Sequence, residues 1–340
     1  RMTRKRIAIT GATGFLGRHV VKAVYDAGHI PVAVVRDTLS ARANLVPNTE
    51  VREADITDLD ALTSAFENVH MAIHLAGMVS LNKCDKDHLY NINVTGSKNF
   101  ITAAEKTNLS RAIFTSTTSA VGALKENNPD NALNEKSLFN LNDQDVSYIK
   151  TKREAHVLAL NAQENDQPIV IMSPSLVLGP DDKNLNTSAL IDAIKKRTLP
   201  VCPNGGINPI DVRDVAKAYV EVINHPMPSR HYILASEQNI SLKTFTKYVA
   251  ELCCVPAPLL SLPSPIIKAA ASITEMLFPH GILTTDGAIL GEFYWYFDAA
   301  LARRELSLSC RPLDETIHAT LAWLSHQVKT EKQQNILERA

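Results

Sequence analysis

Tyr148 and Lys152 stand four residues apart in SYIKTKREA, a spacing that puts both side chains on one face of a helix. A free phenol, with a pKa of about 10, is a poor acid–base group at neutral pH. A cation one turn away favours phenolate and lowers that value, giving a proton donor usable in hydride chemistry. A YxxxK pair alone is an ordinary solvated helix face. It gains meaning from FTSTTSAVG upstream, where Thr115, Ser116, Thr117 and Thr118 offer hydroxyls to hold a substrate oxygen.

A second feature lies at the other end of the chain. ITGATGFLGR, Ile9 to Arg18, places Gly11, Gly14 and Gly17 behind the apolar run RIAIT and ahead of FLGRHVVKAVYDAG. The first run reads as a buried strand and the second as a helix. Glycines on such a strand-to-helix turn allow unusual backbone angles and close approach by a ligand. The free N–H groups at the helix start favour an anion such as a pyrophosphate. The turn, with Thr13, Phe15 and Leu16 between and beside its glycines, is therefore expected to bind a dinucleotide.

The elements that carry these residues alternate. IPVAVVR, EVREAD, MAIHLAG, RAIFTST and PIVIMSPS read as strands. LDALTSAFENV, the stretch through NVTGSKNFITAAEKT, and SYIKTKREAHVLALNAQ read as helices. Alternation of this kind predicts an α/β fold, a Rossmann-type doubly wound parallel sheet with helices on both faces. Ligands then sit beyond the carboxyl ends of the strands. After about Ser175 prolines become dense and the alternation breaks up. The expected division is a dinucleotide-binding domain over 2–175 and a smaller, partly helical substrate lobe over 176–330, with a return to the main domain around 207–225. The tail KTEKQQNILERA reads as a solvated helix or frayed end.

Strand ends carry the next candidates. The second strand ends in Arg36, which suits a ribose 2′-phosphate, whereas an acidic residue there suits the 2′-hydroxyl. Asp37 follows at once, so NADP is preferred and NAD stays open. Asp55 is expected to accept from the adenine amino group while Ile56 packs on its face; the alternative for Asp55 is a helix N-cap, which Thr57 or Asp58 could serve as well. Leu75, Ala76 and Gly77 form a small-residue turn that lets phosphates and ribose pass close to backbone.

Composition bounds the rest. The chain has 340 residues, 45 % hydrophobic and 21 % charged, with a formal net charge of −1. No basic field points to nucleic acid. The five cysteines show neither CxxC spacing nor a paired framework, so reduced thiols and a cytoplasmic location are expected. RMTRK runs straight into the first strand without a signal peptide, and Arg1 ahead of Met2 reads as a processing scar. The longest apolar region, VPAPLLSLPSPIIKAAASITEMLFPHGIL, is broken by prolines, Lys268 and Glu275, short of a membrane span. A helix resting on a membrane or an apolar substrate is its alternative to packed core. His70 and His74 form an apparent HxxxH. In a strand, positions four apart lie roughly 13 Å distant, so no metal site is expected.

Taken in order, TGATGFLG, the Asp55–Ile56 pair, HLAG, NVTG, TSTTSAVG, YIKTK, SPSLVLGP and DVRDVA resemble the extended short-chain dehydrogenase/reductase family over about the first two-thirds of the chain. INPIDVRDVAKAY and HYILASEQNISLK are most similar to its bacterial dihydroflavonol-reductase-like branch, which also holds sugar epimerases and hydroxysteroid dehydrogenases. The resemblance implies that Tyr148 gives and takes the proton and that Lys152 holds the nicotinamide ribose and lowers the tyrosine pKa. It implies that Thr117 orients the substrate oxygen, with Ser116 and Thr118 in reserve. Thr115 would meet the ribose, Pro174 to Val177 would line the nicotinamide, and Asn93 would support the active-site helix. Two departures stand out: Ser147, where many relatives have proline, and the Asn-rich flap LKENNPDNALNEKSLFNLNDQDV.

The leading expectation is an oxidoreductase passing hydride between NADP(H) and a carbonyl/alcohol substrate. The rivals are an NAD-dependent sugar-nucleotide epimerase and a non-catalytic cofactor sensor. A nucleotide diphosphate would need cations in the second lobe, where Lys195, Lys196, Arg197, Arg213 and Arg230 are available. LLSLPSPIIKAAASITEMLF and ILGEFYWYF instead favour an apolar or aromatic substrate. The partner is thus a small molecule. The resemblance also allows a homodimer built on the two long helices, beside a monomer.

Overall fold

A computed structural model describes residues 3–47, 49–185, 187–199, 201–258, 264–277 and 284–337. Arg1, Met2 and parts of the apolar region, 259–263 and 278–283, lie outside the described residues.

The main sheet is parallel throughout and seven-stranded. Its strands are β1 (Arg6–Thr10), β2 (Ile30–Val35), β3 (Glu50–Glu53), β4 (Met71–His74), β5 (Arg111–Thr115), β6 (Ile169–Pro174) and, later in the chain, β10 (His231–Leu234). They lie in the order β10-β6-β5-β4-β1-β2-β3. The chain winds outward from β1 in one direction and from β4 in the other. The crevice at the carboxyl ends of β1 and β4 is therefore the place where a ligand fits.

Alternation along each strand sorts residues between the two faces. Ile7 and Ile9 of β1 join one buried cluster with Val20, Val21 and Val24 of α1 (Phe15–Asp26). Ala8 joins the other, with Phe66 after α3 (Leu59–Ala65) and Phe100 of α5 (Gly96–Lys106). Ala155 and Ala159 of α6 (Ser147–Glu164) belong to that second face. Helix α2 (Thr38–Asn44) follows β2.

The helical stretch expected through NVTGSKNFITAAEKT is not one α-helix. It comprises α4 (Lys86–Tyr90), a π-helical turn over Asn91–Thr95, and α5. Such turns insert an extra residue and often mark functional sites.

The return to the main domain extends past 225. Helix α8 (Val212–Asn224) lies against α1, and Tyr219 and Val222 complete the first cluster. The strand that joins the main sheet is β10, paired to β6 with Leu234 opposite Pro174. Two small sheets lie beside it: β7 (Leu176–Leu178) with β9 (Pro209–Asp211), and β8 (Gly206–Ile207) with β11 (Ile240–Ser241). The second lobe has its own core. Ile191 and Ile194 of α7 (Ala189–Lys195) meet Phe245 and Val249 of α9 (Leu242–Leu252) and Ile317 of α13 (Leu313–Leu337). Helices α10 (Ser264–Leu277) and α11 (Thr285–Leu290) lie against each other, while α12 (Ala300–Leu306) returns to the main sheet, with Ala302 and Leu306 in the first cluster.

The Asn-rich segment is ordered by its own amides. Asn140 donates to the Ala123 carbonyl at 2.8 Å and accepts from the Ala123 N–H at 3.1 Å. Asn127 accepts from the Tyr296 hydroxyl at 2.9 Å. Isolated bridges join Leu124 to Tyr294 and Leu133 to Phe297. The flap is thus laced to the ILGEFYWYF segment.

Candidate active site

The glycine turn sits at the carboxyl ends of β1 and β4. Gly11 has φ +66°, and a Cβ there would stand 2.5 Å from the Ala76 nitrogen. A Cβ on Gly17 would stand 2.0 Å from the Gly11 carbonyl oxygen, so no other residue type fits as placed. The Gly14 N–H closes the turn on the Gly11 carbonyl at 3.0 Å. Gly14 is also the cap residue of α1 and brings no side chain to it. The first-turn N–H groups, beginning with Phe15 and Leu16, are left for an anion. That donor set suits a dinucleotide pyrophosphate. Thr13 gives its carbonyl to Arg18 at 3.0 Å. Leu75 and Ala76 donate their N–H groups to the Thr10 carbonyl and hydroxyl at 3.2 and 3.3 Å, which draws the β4 end against the turn.

At the end of β2 the two charges part ways. Asp37 caps α2, its carboxylate accepting from the Leu39 and Ser40 N–H groups at 3.0 and 3.1 Å. Arg36 stays exposed. Asp55 accepts from the N–H and the hydroxyl of Thr57, both at 2.8 Å, while Asp58 caps α3. The Thr57 N–H, that hydroxyl and nearby Arg36 hold the Asp55 carboxyl below its ordinary range, against its partial burial. Ile56 is 8 % exposed and packed on Gly96, so only an edge of it remains open.

The four hydroxyls after β5 have different fates. Thr115 shares a 2.7 Å bond with the Tyr219 hydroxyl. Ser116 is buried and bonded to His156 Nδ1 at 2.8 Å. Thr118 is buried. Thr117 alone among the three catalytic candidates faces the phenol of Tyr148. Its oxygen accepts from the N–H and the hydroxyl of Ser119 at 3.3 and 3.2 Å, which leaves its own hydrogen to donate. Ser119 also faces the phenol, a residue that sequence reasoning passed over. Its two-residue offset from Thr117 is the signal, readable only once a tight turn at 118–120 is known.

Tyr148 packs against the buried cluster of Ala123, Leu141, Val146, Ile149 and Phe293, which Phe139, Ile289, Leu290 and Trp295 also flank. Burial pushes its phenol above the ordinary value, and the Thr117 and Ser119 hydroxyls pull it partway back. This reverses the expectation that Lys152 lowers it: the apolar packing governs the phenol, and Lys152 is not among its perturbers. Burial pulls Lys152 itself down to about 8. A Cβ on Gly77 would lie 3.8 Å from Lys152 Nζ and 3.5 Å from Asn93 Oδ1, so that turn, Asn93 and the lysine adjoin. Asn93 is buried in the π-turn. It accepts from the Met78 N–H at 2.8 Å and donates to the Met78 carbonyl at 3.0 Å and the Thr151 hydroxyl at 3.3 Å.

Pro174 ends β6, and Val177 lies in β7, partly buried against the main core. The second-lobe cations are mostly committed. Arg213 forks onto Asp211 at 2.8 and 2.7 Å, and Lys196 meets Asp192 at 2.6 Å. Lys195 meets the Ser325 hydroxyl at 2.8 Å. Arg230 bonds the Gln163 carbonyl at 3.1 Å at the amino end of β10, the opposite end of the sheet. Arg197 is exposed.

His70 accepts from the Arg6 N–H, whereas His74 is buried against Thr10 and Ser97. Among the described residues no group of three or more His, Cys, Asp or Glu could hold a metal ion, and no helix is long and apolar enough to cross a membrane.

A glycine turn at the switch point, hydroxyls at the end of β5 and a Tyr–Lys pair on the following helix define a nicotinamide-dependent oxidoreductase of the extended short-chain type. The family model described as the NAD dependent epimerase/dehydratase family matches residues 7–235, and the chain belongs to that family. It is 29 % identical over 336 residues to a putative dihydroflavonol 4-reductase of Synechocystis, covering 95 % of this chain and 96 % of that one. It is 25 % identical over 330 residues to sterol demethylase protein B of Methylococcus capsulatus, covering 93 % and 97 %. Its fold is similar to that of a nucleoside-diphosphate-sugar epimerase from Pseudomonas aeruginosa, with TM-score 0.78, 22 % identity and coverage of 96 % and 99 %.

Proposed function

We propose that the chain is an NADP(H)-dependent reductase or dehydrogenase acting on the carbonyl/alcohol group of an apolar, ring-built substrate. The carrying observation is the setting of Tyr148: a phenol facing the Thr117 and Ser119 hydroxyls, on a residue packed against the apolar cluster of Ala123, Leu141, Val146, Ile149 and Phe293. The names of the similar proteins, a dihydroflavonol reductase and a sterol-processing protein, agree with such a substrate.

The chemistry follows from the chain's own groups. The Thr117 hydroxyl, its oxygen already supplied by Ser119, donates its hydrogen to the substrate oxygen and orients it. Tyr148, kept protonated at neutral pH by its burial, gives its proton to that oxygen as negative charge develops there. Lys152, adjoining Gly77 and Asn93, holds the ribose side of the cofactor. Bound in the crevice, the nicotinamide supplies or takes the hydride. Leu75, Ala76, Gly77, Thr115, Pro174 and Val177 would flank it, with the pyrophosphate at Gly11, Thr13, Gly14, Phe15, Leu16 and Gly17. Arg36 would meet the 2′-phosphate, and Asp55 and Ile56 the adenine.

NADP is favoured because Asp37, the residue that could have served a 2′-hydroxyl, caps α2 while Arg36 stays exposed. The epimerase reading is less favoured because Arg213, Lys195, Lys196 and Arg230 are engaged elsewhere. The test denatures the purified protein, identifies any nucleotide released, and assays aromatic and alicyclic ketones and aldehydes with NADPH and NADH. Stoichiometric retained NAD with no carbonyl turnover would overturn the proposal in favour of an epimerase.

A further inference from the structure

His74 is buried beneath the cofactor crevice, and its partners determine where its ring proton sits. The Ser97 hydroxyl reaches the Asn93 carbonyl at 2.6 Å, and a carbonyl can only accept. Having spent its hydrogen there, Ser97 Oγ must accept from His74 Nε2, 3.3 Å away. Nε2 is therefore the protonated nitrogen of the neutral ring, and Nδ1 accepts from the Thr10 hydroxyl at 2.8 Å. Thr10 in turn receives the Ala76 N–H. Phe100 and Phe114 stack on the ring with centroids 4.6 and 5.6 Å away.

The line continues beyond Ser97. Asn93 lies in the π-turn, where helical N–H groups fall out of step with the carbonyls. The Ser97 hydroxyl supplies a donor to its carbonyl. The Asn93 amide meets Thr151 at 3.3 Å, and the Thr151 hydroxyl donates to the Tyr148 carbonyl at 3.1 Å. Hydrogen bonds thus run from the cofactor turn at Ala76 to the Asn93 backbone, and the Asn93 side chain carries the line on to the first turn of the helix bearing Tyr148 and Lys152.

We infer that His74 is a positioning residue: locked as its Nε2–H tautomer, it holds the Ser97-braced π-turn in the register that sets Asn93 against Thr151 and thereby Lys152 beside Gly77. The role rests on the reading of Tyr148 and Lys152 as the acid–base pair. It assigns His74 no contact with substrate. A cationic ring is disfavoured here, first by burial and then by the charge of Lys152.

Two measurements test it. The first reads the ring nitrogens of His74 by ¹⁵N NMR of the intact protein, independent of turnover. Nε2 is expected to carry the proton and Nδ1 to be bare; a proton on Nδ1 would overturn the inference. The second compares variants by kcat, KM and melting temperature. A glutamine amide reaches the Nε2 position and keeps the Ser97 contact, whereas an asparagine amide reaches only Nδ1. H74Q should stay within about threefold of wild-type kcat, while H74N and S97A should each lose about tenfold to a hundredfold with little change in cofactor KM. The H74N/S97A double variant should lose no more than the worse single change. H74Q falling as far as H74N, or fully additive losses, would reject the positioning role. Turnover surviving in Y148F would instead sink the functional proposal and leave the tautomer result standing.

Discussion

The Ser119 hydroxyl donates to Thr117 Oγ1 at 3.2 Å, and both face the phenol of Tyr148. That arrangement makes Thr117 a donor toward whatever oxygen lies before it. Replacing Tyr148 by Phe removes the acid–base group and should cut kcat by about 10² to 10⁴-fold. Cofactor affinity, measured by fluorescence titration with NADPH, should be unchanged. S119A, which frees the Thr117 oxygen and removes one hydroxyl facing the phenol, should cost about threefold to tenfold in kcat.

Lys152, pulled down to about 8 by burial, is a cation below that pH and neutral above it. Tyr148 is displaced upward and stays protonated across the same range. Carbonyl reduction should therefore hold steady near neutrality and decline as pH rises through about 8, where the cation that orients the cofactor ribose is lost. K152R stays charged, so its residual activity should lack that alkaline decline. A pH series of kcat at saturating NADPH checks both.

Arg36 is the exposed charge at the end of β2, since Asp37 is spent on the cap of α2. R36E should raise the KM for NADPH by about tenfold to a hundredfold, the cost of one charge-assisted contact. The KM for NADH should move little. Steady-state titrations with the two cofactors give the ratio directly.

Three buried histidines make the fold acid-sensitive. Burial holds His74 and His156 near about 3 and His231 near about 4, against an ordinary value of 6.5. Each is neutral when folded, so the unfolded chain binds more protons below pH 6.5 and stability falls with pH. Each site contributes a slope approaching about 1.4 kcal/mol per pH unit between its unfolded and folded pKa values. Melting temperature followed from pH 7 to 4 should drop, and H231N, which gives up its bond to Ser173, should flatten the curve.

Short-range signals carried much of the fold and site. The glycine turn could be read because Gly11 and Gly17 answer a local steric demand, and the Tyr148–Lys152 pair because four residues make one helical turn. Ser119 was not legible: its place beside the phenol depends on how the chain turns after Thr117. Nor was the polarity reversal at Tyr148. The apolar cluster it packs against draws Phe293 from far along the chain. The π-turn at Asn91–Thr95 leaves no apolar period to detect, and β10 joins the sheet from beyond a segment that reads as a separate lobe.

The late arrival of β10 bears on how this protein can be taken apart. A fragment stopping near residue 175 would hold every expected cofactor contact through Pro174, yet β6 would lose the strand that covers its edge, and α1 would lose the α8 surface packed on its apolar side. Bare parallel edges and uncovered valines invite association between copies. The nucleotide-binding half is thus not a portable module: grafting or expressing it needs the chain through at least Leu234, and shuffling between relatives should place crossovers after that strand rather than at the apparent boundary.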